Sequence, residues 1–184
     1  MKVSISSSSR KEIDDYYCSI ARSISNYLAR NDFDLIFGGC STSMMGVCYD
    51  EFKKNDRKIY VYTTELYTDD LKNLEYDDCE VCKTTFDLKK KMFYDSDVVI
   101  ALPGGPGTLS ELLAFIEEKR SNEQYDKLLI IYDEDHFYDK LLGILDEFVK
   151  QKFVGNNIYE YFEIAHNKEE FVEIIDNLYR EKRR

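Results

Sequence analysis

The sequence predicts an α/β protein with a doubly wound, mostly parallel sheet and helices on both faces. Short apolar segments alternate with longer segments in which apolar residues recur at helical spacing. This alternation is typical of βαβ units joined by right-handed crossovers. The chain has 184 residues, of which 43% are hydrophobic, and a length of this order fits one domain. We therefore expect a single Rossmann-like domain over residues 1–184.

The strands are predicted where apolar, β-branched and aromatic residues cluster between polar segments. The run 97–102 is continuously apolar after Asp97, which is typical of a strand buried on both faces. The run 159–165 is expected at an edge of the sheet. Together the predicted strands are Lys2–Ser6, Asp34–Phe37, Lys58–Tyr62, Cys79–Lys83, Asp97–Leu102, Lys127–Tyr132 and Tyr159–Ala165.

The helices are predicted between these strands from the same pattern. In the first of them, Ile13, Ile20, Ile24 and Leu28 recur at helical spacing. Residues 63–78 are polar and without a clear period, which predicts a loop with at most a short helix. The predicted helices are Glu12–Arg30, Met44–Lys54, Phe86–Tyr94, Thr108–Arg120, Phe137–Lys152 and Lys168–Arg180.

Charge and hydropathy argue against several classes of function. The formal net charge is −11, so the chain repels phosphate backbones at long range and nucleic acid is not an expected partner. No apolar run reaches the roughly 20 residues of a spanning helix, and the amino terminus lacks a signal peptide. We expect a cytoplasmic protein without membrane contact.

The five cysteines are an odd number at irregular spacing and do not predict a disulfide framework. Cys79 and Cys82 form one C-x-x-C without a second pair or a histidine cluster to complete a zinc site. His136 and His166 lie far away in sequence. We therefore expect no bound metal and no other cofactor.

The segment Pro103–Gly107 carries the strongest functional signal. It holds both prolines of the chain and three of its eight glycines, directly between a buried strand and a helix. Glycine allows close approach of the backbone to a ligand, and the first N–H groups of a helix have no partner inside it. Together these features predict an anion site that accepts a phosphate.

Glu111 admits two interpretations. The spacing Thr108-x-x-Glu111 matches a capping box, in which the carboxylate bonds back to the start of the helix. A carboxylate near a ligand-binding helix start can also orient water or stabilise a cationic sugar, as in glycoside hydrolysis. The residue pattern leaves both interpretations open.

At these residues the chain resembles the LOG family of lysine decarboxylase-like Rossmann proteins. The similarity runs from about residue 2 to residue 135, and Ser6–Ser9 is similar to the family's Gly-Ser-Ser turn. The upstream turn Gly38-Gly39 is followed by Ser43-Met44-Met45-Gly46, similar to the family's Gly-x-Met-Gly. The family motif P-G-G-x-G-T-x-x-E is matched by Pro103, Gly104, Gly105, Gly107, Thr108 and Glu111.

The resemblance implies a function and a set of site residues. Family members hydrolyse the N-glycosidic bond of nucleoside 5′-monophosphates, and the substrate expected here is AMP-like. By the resemblance Gly104, Gly105, Gly107 and Thr108 would hold the phosphate, and Glu111 would be catalytic. The resemblance also implies a homodimer with no cofactor. Residues expected near the nucleotide are Ser7, Ser8, Gly39, Ser41, Met45 and Lys89.

The sequence departs from the family pattern in the helix before the motif strand. The family has Arg-Lys-x-x-Met, and alignment on Met92 places Leu88 at the arginine and Lys89 at the lysine. Cys40 and Ser43 also replace family glycines. These departures leave an alternative open, a nucleotide-binding sensor or carrier with impaired catalysis. A third alternative is a nucleoside deoxyribosyltransferase-like enzyme, whereas lysine decarboxylation would need a pyridoxal-phosphate site that the sequence does not predict.

Overall fold

The structure is a computed structural model that describes residues 1–122 and 125–182. Its seven strands form one sheet in the order β4-β3-β2-β1-β5-β6-β7, and every adjacent pair is parallel. This confirms the predicted doubly wound architecture. The strands are β1 Lys2–Ser6, β2 Asp34–Phe37, β3 Ile59–Thr64, β4 Asp78–Cys82, β5 Val98–Ala101, β6 Leu128–Tyr132 and β7 Glu163–Ala165.

Three helices cover each face of the sheet. Buried residues of α1, α2 and α6 join one core cluster, and those of α3, α4 and α5 join the other. The helices are α1 Asp15–Arg30, α2 Ser43–Lys54, α3 Thr85–Asp95, α4 Pro106–Ser121, α5 Asp139–Lys150 and α6 Lys168–Lys182. None of the described helices is both long and apolar enough to cross a membrane.

The side chains of β5 explain why its sequence is continuously apolar. Val98 and Ile100 belong to the core of one face, and Val99 and Ala101 belong to the core of the other. All four are at most 2% exposed. The strand is therefore buried on both sides, as its sequence predicts.

Most element boundaries differ from the sequence prediction by a few residues, and two of these differences have a local cause. Helix α4 begins at Pro106, two residues before the predicted start, because proline has a helical φ and lacks only an N–H group that the first turn does not use. The predicted strand 159–165 is shortened to the three residues of β7. Residues Asn156–Tyr161 instead form a 3₁₀ helix after Gly155, at a Gly-Asn-Asn sequence that favours a turn.

The segment between β3 and β4 is also more ordered than a loop. Strand β3 continues to Thr64, and Glu65–Leu71 then forms a 3₁₀ helix. Leu71 is buried and belongs to the core cluster of the α1, α2 and α6 face. Leu74 is buried in the same cluster, so this polar segment has two apolar anchors, which account for the short helix that the sequence prediction allows.

The strand order places a topological switch point between β1 and β5. From β1 the chain builds outward in one direction through β2, β3 and β4, and then returns to place β5 on the other side of β1. The helices that follow β1 and β5 lie on opposite faces of the sheet, so a crevice opens beyond the carboxyl ends of these strands. The predicted phosphate loop follows β5 and lies at this crevice.

Candidate nucleotide site

Three loops meet at the carboxyl edge of β1, β2 and β5. Ser6 at the end of β1 pairs in register with Ala101 of β5, and the Leu102 N–H donates to the Ser6 carbonyl over 3.0 Å. The Met45 N–H donates to the Ser8 carbonyl over 3.2 Å, which ties the start of α2 to the loop after β1. These backbone bonds bring segments from the three strands into one site.

The start of α4 has no side-chain cap. Its N-cap is Gly105, which has no side chain, and Pro106 follows as the first helical residue. The N–H groups of Gly107 and Thr108 therefore lie in the first turn, without partners inside the helix. The capping-box interpretation of Thr108 and Glu111 is wrong, because both residues lie inside the helix that begins at Pro106.

The three glycines of this loop differ in what surrounds them. A Cβ on Gly104 would lie 2.2 Å from Thr108 Oγ1, so close packing of the loop on its own helix requires glycine there. A Cβ on Gly105 or Gly107 would meet no atom within 4 Å. Neither of these two has a positive φ. The chain's own packing therefore does not explain glycine at positions 105 and 107.

Thr108 is 4% exposed, and its side chain lies beneath Gly104. Its hydroxyl supports the loop from inside. Its backbone N–H, in the first turn of α4, is the group that remains for an anion. The Thr108 side chain is therefore used in the packing of the loop, whereas its amide has no partner inside the helix.

A cleft of about 250 Å³ opens beside this loop. Its surroundings are mainly apolar, with one aromatic ring from α1 and another from the segment after β6. Arg10 contributes a positive charge at the exposed side. The lining residues are Ser8, Arg10, Ile13, Tyr17, Met44, Pro103, Gly104, Gly105 and Phe137.

Glu111 lies one turn into α4 and is half-buried. Burial raises the pKa of this carboxyl, while a hydrogen bond with Ser6 and the positive charge of Lys89 act in the opposite direction. Ser6 is 3% exposed at the end of β1. The carboxyl therefore lies at the switch point, between Ser6 at the end of β1 and Lys89, and its pKa is raised.

Lys89 is the lysine of α3 that faces the start of α4. Its Nζ donates to Ser110 Oγ over 2.5 Å. Lys91 instead forms ion pairs with Glu80 and Asp95, at 3.0 and 3.4 Å. Leu88 packs into the core between the sheet and its helices. The cation beside Glu111 thus comes from position 89.

The glycines in the loop after β2 and in the first turn of α2 have structural roles. Gly39 has φ +81°, and a Cβ there would lie 2.4 Å from Leu71 Cδ2. A Cβ on Gly46 would lie 2.4 Å from the Ser41 carbonyl oxygen. Ser43, at a family glycine position, has φ +55°, a conformation that disfavours residues with a Cβ. This loop packs tightly on its own chain.

The residues expected near the nucleotide divide into two groups. Ser8 lines the cleft, and Lys89 lies close to Glu111. Gly39 packs against the core, Ser41 is exposed, and Met45 lies beside Gly38, so the neighbouring Met44 lines the cleft in its place. Ser7 Oγ is buried with no hydrogen-bond partner among the described residues.

Sequence reasoning missed several residues of this site. Arg10, Ile13 and Tyr17 follow β1, and Phe137 follows β6. Strand ends were the one available signal, because the carboxyl ends of parallel strands share one edge of the sheet. No feature of the residues themselves marks them as part of a cleft.

The parallel sheet, with an uncapped glycine-rich helix start at its switch point, defines a Rossmann-like protein. The profile of the family described as "Possible lysine decarboxylase" matches residues 44–175, which span α2 to α6. The chain belongs to this family, which is also called the LOG family.

Several curated proteins share this sequence pattern. Cytokinin riboside 5′-monophosphate phosphoribohydrolase LOG4 of Arabidopsis thaliana is 28% identical over 161 residues, covering 87% of this chain and 74% of that protein. Probable cytokinin riboside 5′-monophosphate phosphoribohydrolase LOG4 of Oryza sativa subsp. japonica is 26% identical over 157 residues. That match covers 85% of this chain and 68% of the rice protein.

Solved structures share the fold. The molybdenum cofactor binding protein of Rippkaea orientalis superimposes with a TM-score of 0.68 and 19% identity, covering 96% of this chain and 94% of that chain. The molybdenum cofactor carrier protein of Chlamydomonas reinhardtii superimposes with a TM-score of 0.67 and 14% identity, covering 96% of each chain. At these identities the likeness concerns the fold alone.

Proposed function

We propose that this chain is a nucleoside 5′-monophosphate phosphoribohydrolase that acts on an AMP-like substrate. Water would add to C1′ of the ribose, the N-glycosidic bond would break, and the free base and ribose 5-phosphate would leave. The observation that carries the proposal is the uncapped start of α4, with open space in front of Gly105 and Gly107, one turn from Glu111. The proposal uses the chain's own residues and no cofactor.

The phosphate would bind at the first turn of α4. The N–H groups of Gly107 and Thr108 are directed out of the helix start, where the helix dipole favours a negative charge. Each hydrogen bond to a charged group contributes about 1.5–3 kcal/mol. A few such bonds are enough to hold a phosphate despite the acidic character of the whole chain. In this role Gly104 and the Thr108 side chain keep the loop in shape.

Glu111 would perform the proton chemistry. Burial raises its pKa towards the range in which a carboxyl can both accept and donate a proton near neutral pH. In the ionised form it would orient the attacking water and stabilise the oxocarbenium-like sugar. The proton taken from water would then pass to the departing base. Ser6 would orient the carboxyl through its hydroxyl group.

Lys89 would supply the positive charge that the family places at Leu88. It lies on α3 with its ammonium group on Ser110, and its charge acts on Glu111. A donor at this position can stabilise the sugar phosphate, although a lysine lacks the bidentate geometry of an arginine. Lys89→Ala is expected to lower kcat by about a hundredfold to a thousandfold. Lys89→Arg is expected to retain most of the activity.

The direct test is to incubate the protein with AMP and with adenine-type riboside monophosphates and to measure the release of free base by chromatography. Wild-type protein should release base and ribose 5-phosphate in equal amounts, and Glu111→Ala should not. Lys90→Ala is a suitable control, because Lys90 is an exposed neighbour on the same helix. Base release no greater than that of Glu111→Ala would end the enzyme proposal.

A second candidate is a binding protein without turnover. The replacement of the family arginine by the buried Leu88 favours it. Under this proposal AMP binds tightly in calorimetry while no product forms, and Lys89→Arg adds hydrolysis that the wild type lacks. Leu88→Arg is a poor test, because it would place a charge in the core.

A third candidate, a deoxyribosyltransferase-like enzyme, has a separate test. It would exchange bases between nucleosides that lack a 5′-phosphate, whereas the hydrolase would require the phosphate. Nucleosides incubated with a second free base distinguish the two reactions. Base exchange without hydrolysis of AMP would favour the transferase.

We also propose a cytoplasmic homodimer that binds neither nucleic acid nor membranes. The exposed face of α4 carries Leu109 and Leu113 one turn apart, and Phe86 on α3 is 78% exposed. Apolar side chains at such positions are available to a second copy of the chain. Analytical ultracentrifugation should give twice the chain mass, and Leu113→Glu should shift the mass towards one chain.

A further inference from the structure

The two histidines of the chain lie side by side, although 30 positions separate them in sequence. The centroids of the His136 and His166 rings are 5.9 Å apart. His166 follows β7, and His136 lies in the turn after β6. The parallel pairing of β6 with β7 brings the two turns together at the carboxyl edge of the sheet.

Asp133 is the third and buried member of this cluster. Its N–H donates to the Ala165 carbonyl over 2.8 Å, which places it beside His166. Its Oδ1 accepts the Tyr138 N–H over 2.6 Å. Its Oδ2 is buried and has no hydrogen-bond partner in the part of the chain that the structure describes. The side chain is fully buried, and Oδ2 lies 3.4 Å from His166 Nδ1.

We propose that Asp133, His136 and His166 form a site for a divalent transition-metal ion such as Zn²⁺. One ligand atom from each residue lies within 4.8 Å of the others. Imidazole nitrogen and carboxylate oxygen are preferred ligands of Zn²⁺, at about 2.0–2.2 Å, so donors in a tetrahedron lie about 3.3 Å apart. The Asp133–His166 pair already has this spacing.

The surroundings of His136 fit the same role. Asp139 Oδ1 lies 3.2 Å from His136 Nδ1, which orients the ring and leaves Nε2 available as a ligand. The His136 side chain is 72% exposed, so its ring can move towards the other two ligands. Asp135 and His136 both have a positive φ, at 55° and 58°. The turn therefore holds His136 in an unusual backbone conformation beside the buried carboxylate.

This site is distinct from the proposed nucleotide site but lies next to it. Phe137, which lines the cleft, directly follows His136. The Tyr138 hydroxyl donates to the Leu102 carbonyl over 2.7 Å, just before the glycine-rich loop. A bound ion would tie the ends of β6 and β7 together. Three protein ligands would leave a fourth position for water.

The test is titration of untagged protein with Zn²⁺ and, for its visible spectrum, with Co²⁺. We expect one ion per chain and a tetrahedral Co²⁺ spectrum without thiolate charge-transfer bands. A sample labelled with ¹⁵N in histidine has only two imidazole groups, and the ion should perturb both. His136→Gln and His166→Gln should each weaken binding by about a hundredfold or more, and Asp139→Asn by about tenfold.

The matched control is the double variant Cys79→Ser/Cys82→Ser, which removes the competing C-x-x-C pair. It should bind the ion as the wild type does. Urea unfolding without metal shows whether each histidine variant remains folded. Absence of saturable binding, binding that survives both histidine substitutions, or binding lost in the cysteine variant would each overturn the proposal.

Discussion

The two glycine-rich loops of this protein lie at the same edge of the sheet but use glycine for different reasons. After β2, Gly39 in the loop and Gly46 in the first turn of α2 are required by the packing of the chain itself. After β5, Gly105 at the N-cap of α4 and Gly107 in its first turn face open space, and only Gly104 is required by close packing. A glycine that the fold does not need is a better indicator of a ligand than a glycine that it does need.

Under the proposed function, the chemistry lies on the α4 side of the crevice and the α2 side supports it. Glu111, Lys89 and the uncapped amides are all on the first side. The second side contributes the apolar Met44 and a tightly packed turn. Substitutions on the two sides should therefore separate activity from stability.

The largest expected effect is that of Glu111→Gln on activity. If Glu111 performs acid–base chemistry, the substitution should lower kcat for base release from AMP by about 10²- to 10⁴-fold. The affinity for AMP, measured by calorimetry, should change little, because the amides that hold the phosphate are intact. A variant with unchanged kcat would remove Glu111 from the mechanism.

The same substitution should raise stability at neutral pH. Burial raises the pKa of Glu111 in the folded state, so the folded protein favours the protonated carboxyl. Ionisation therefore costs stability as the pH rises from the ordinary carboxyl range through the folded-state pKa. Glu111→Gln should be more stable than wild type in urea unfolding at pH 7. The difference should disappear in acid, below the ordinary glutamate pKa of about 4.3.

Gly46→Ala tests the packing of the first turn of α2 on the loop that precedes it. Its Cβ would meet a backbone oxygen at 2.4 Å, and backbone cannot move aside as a side chain can. We expect the free energy of unfolding to fall by about 1–3 kcal/mol. Unfolding in urea measures this effect. Unchanged stability would show that the loop is not held as tightly as its geometry implies.

Gly107→Ala tests the start of α4. Unlike Gly46→Ala, it should preserve stability, and it should weaken AMP binding. Alanine favours a helix by up to about 1 kcal/mol over glycine, so stability should hold or rise. A methyl group at the helix start should weaken AMP binding by about tenfold to a hundredfold, the loss of one hydrogen bond to a charged group. Gly143→Ala is the matched control, because Gly143 also lies in a helix with no atom near its Cβ position. Gly143→Ala should raise stability without changing the affinity for AMP.

The smallest expected effect is that of Ser43→Gly. Ser43 has φ +55°, and its Oγ is buried with no hydrogen-bond partner among the described residues. Glycine removes the backbone strain and the unpaired buried hydroxyl. It also raises the conformational entropy of the unfolded chain, which offsets part of the gain in stability. A net stabilisation of about 1 kcal/mol is expected in urea unfolding. A destabilised variant would mean that the serine hydroxyl has a role that its contacts do not reveal.

Much of this comparison could be predicted from the sequence. The strand before Pro103 is continuously apolar because it is buried on both faces, and the glycine and proline residues after it mark the helix start. The predicted helix starts two residues late, because proline usually breaks regular structure although it also suits the first helical position. The error made Thr108 and Glu111 resemble a capping box.

Features that depend on tertiary contacts could not be predicted. The choice between Met44 and Met45 at the cleft depends on the rotation of α2 at Ser43, whose backbone conformation is unusual for a serine. The proximity of Lys89 to Glu111 depends on the packing of α3 against α4. His136 and His166 meet only because β6 and β7 are neighbours. Their separation in sequence gives no sign that they meet.

The most direct test of the central claim uses the eight glycines of the chain. A Glu111→Gln sample labelled with ¹⁵N in glycine gives eight backbone amide signals, which are followed during titration with AMP and with adenosine. We expect AMP to shift the amides of Gly104, Gly105 and Gly107 while Gly143 and Gly155 stay in place, and adenosine to leave all five unmoved. Saturating AMP that left the Gly105 and Gly107 amides in place would contradict this expectation.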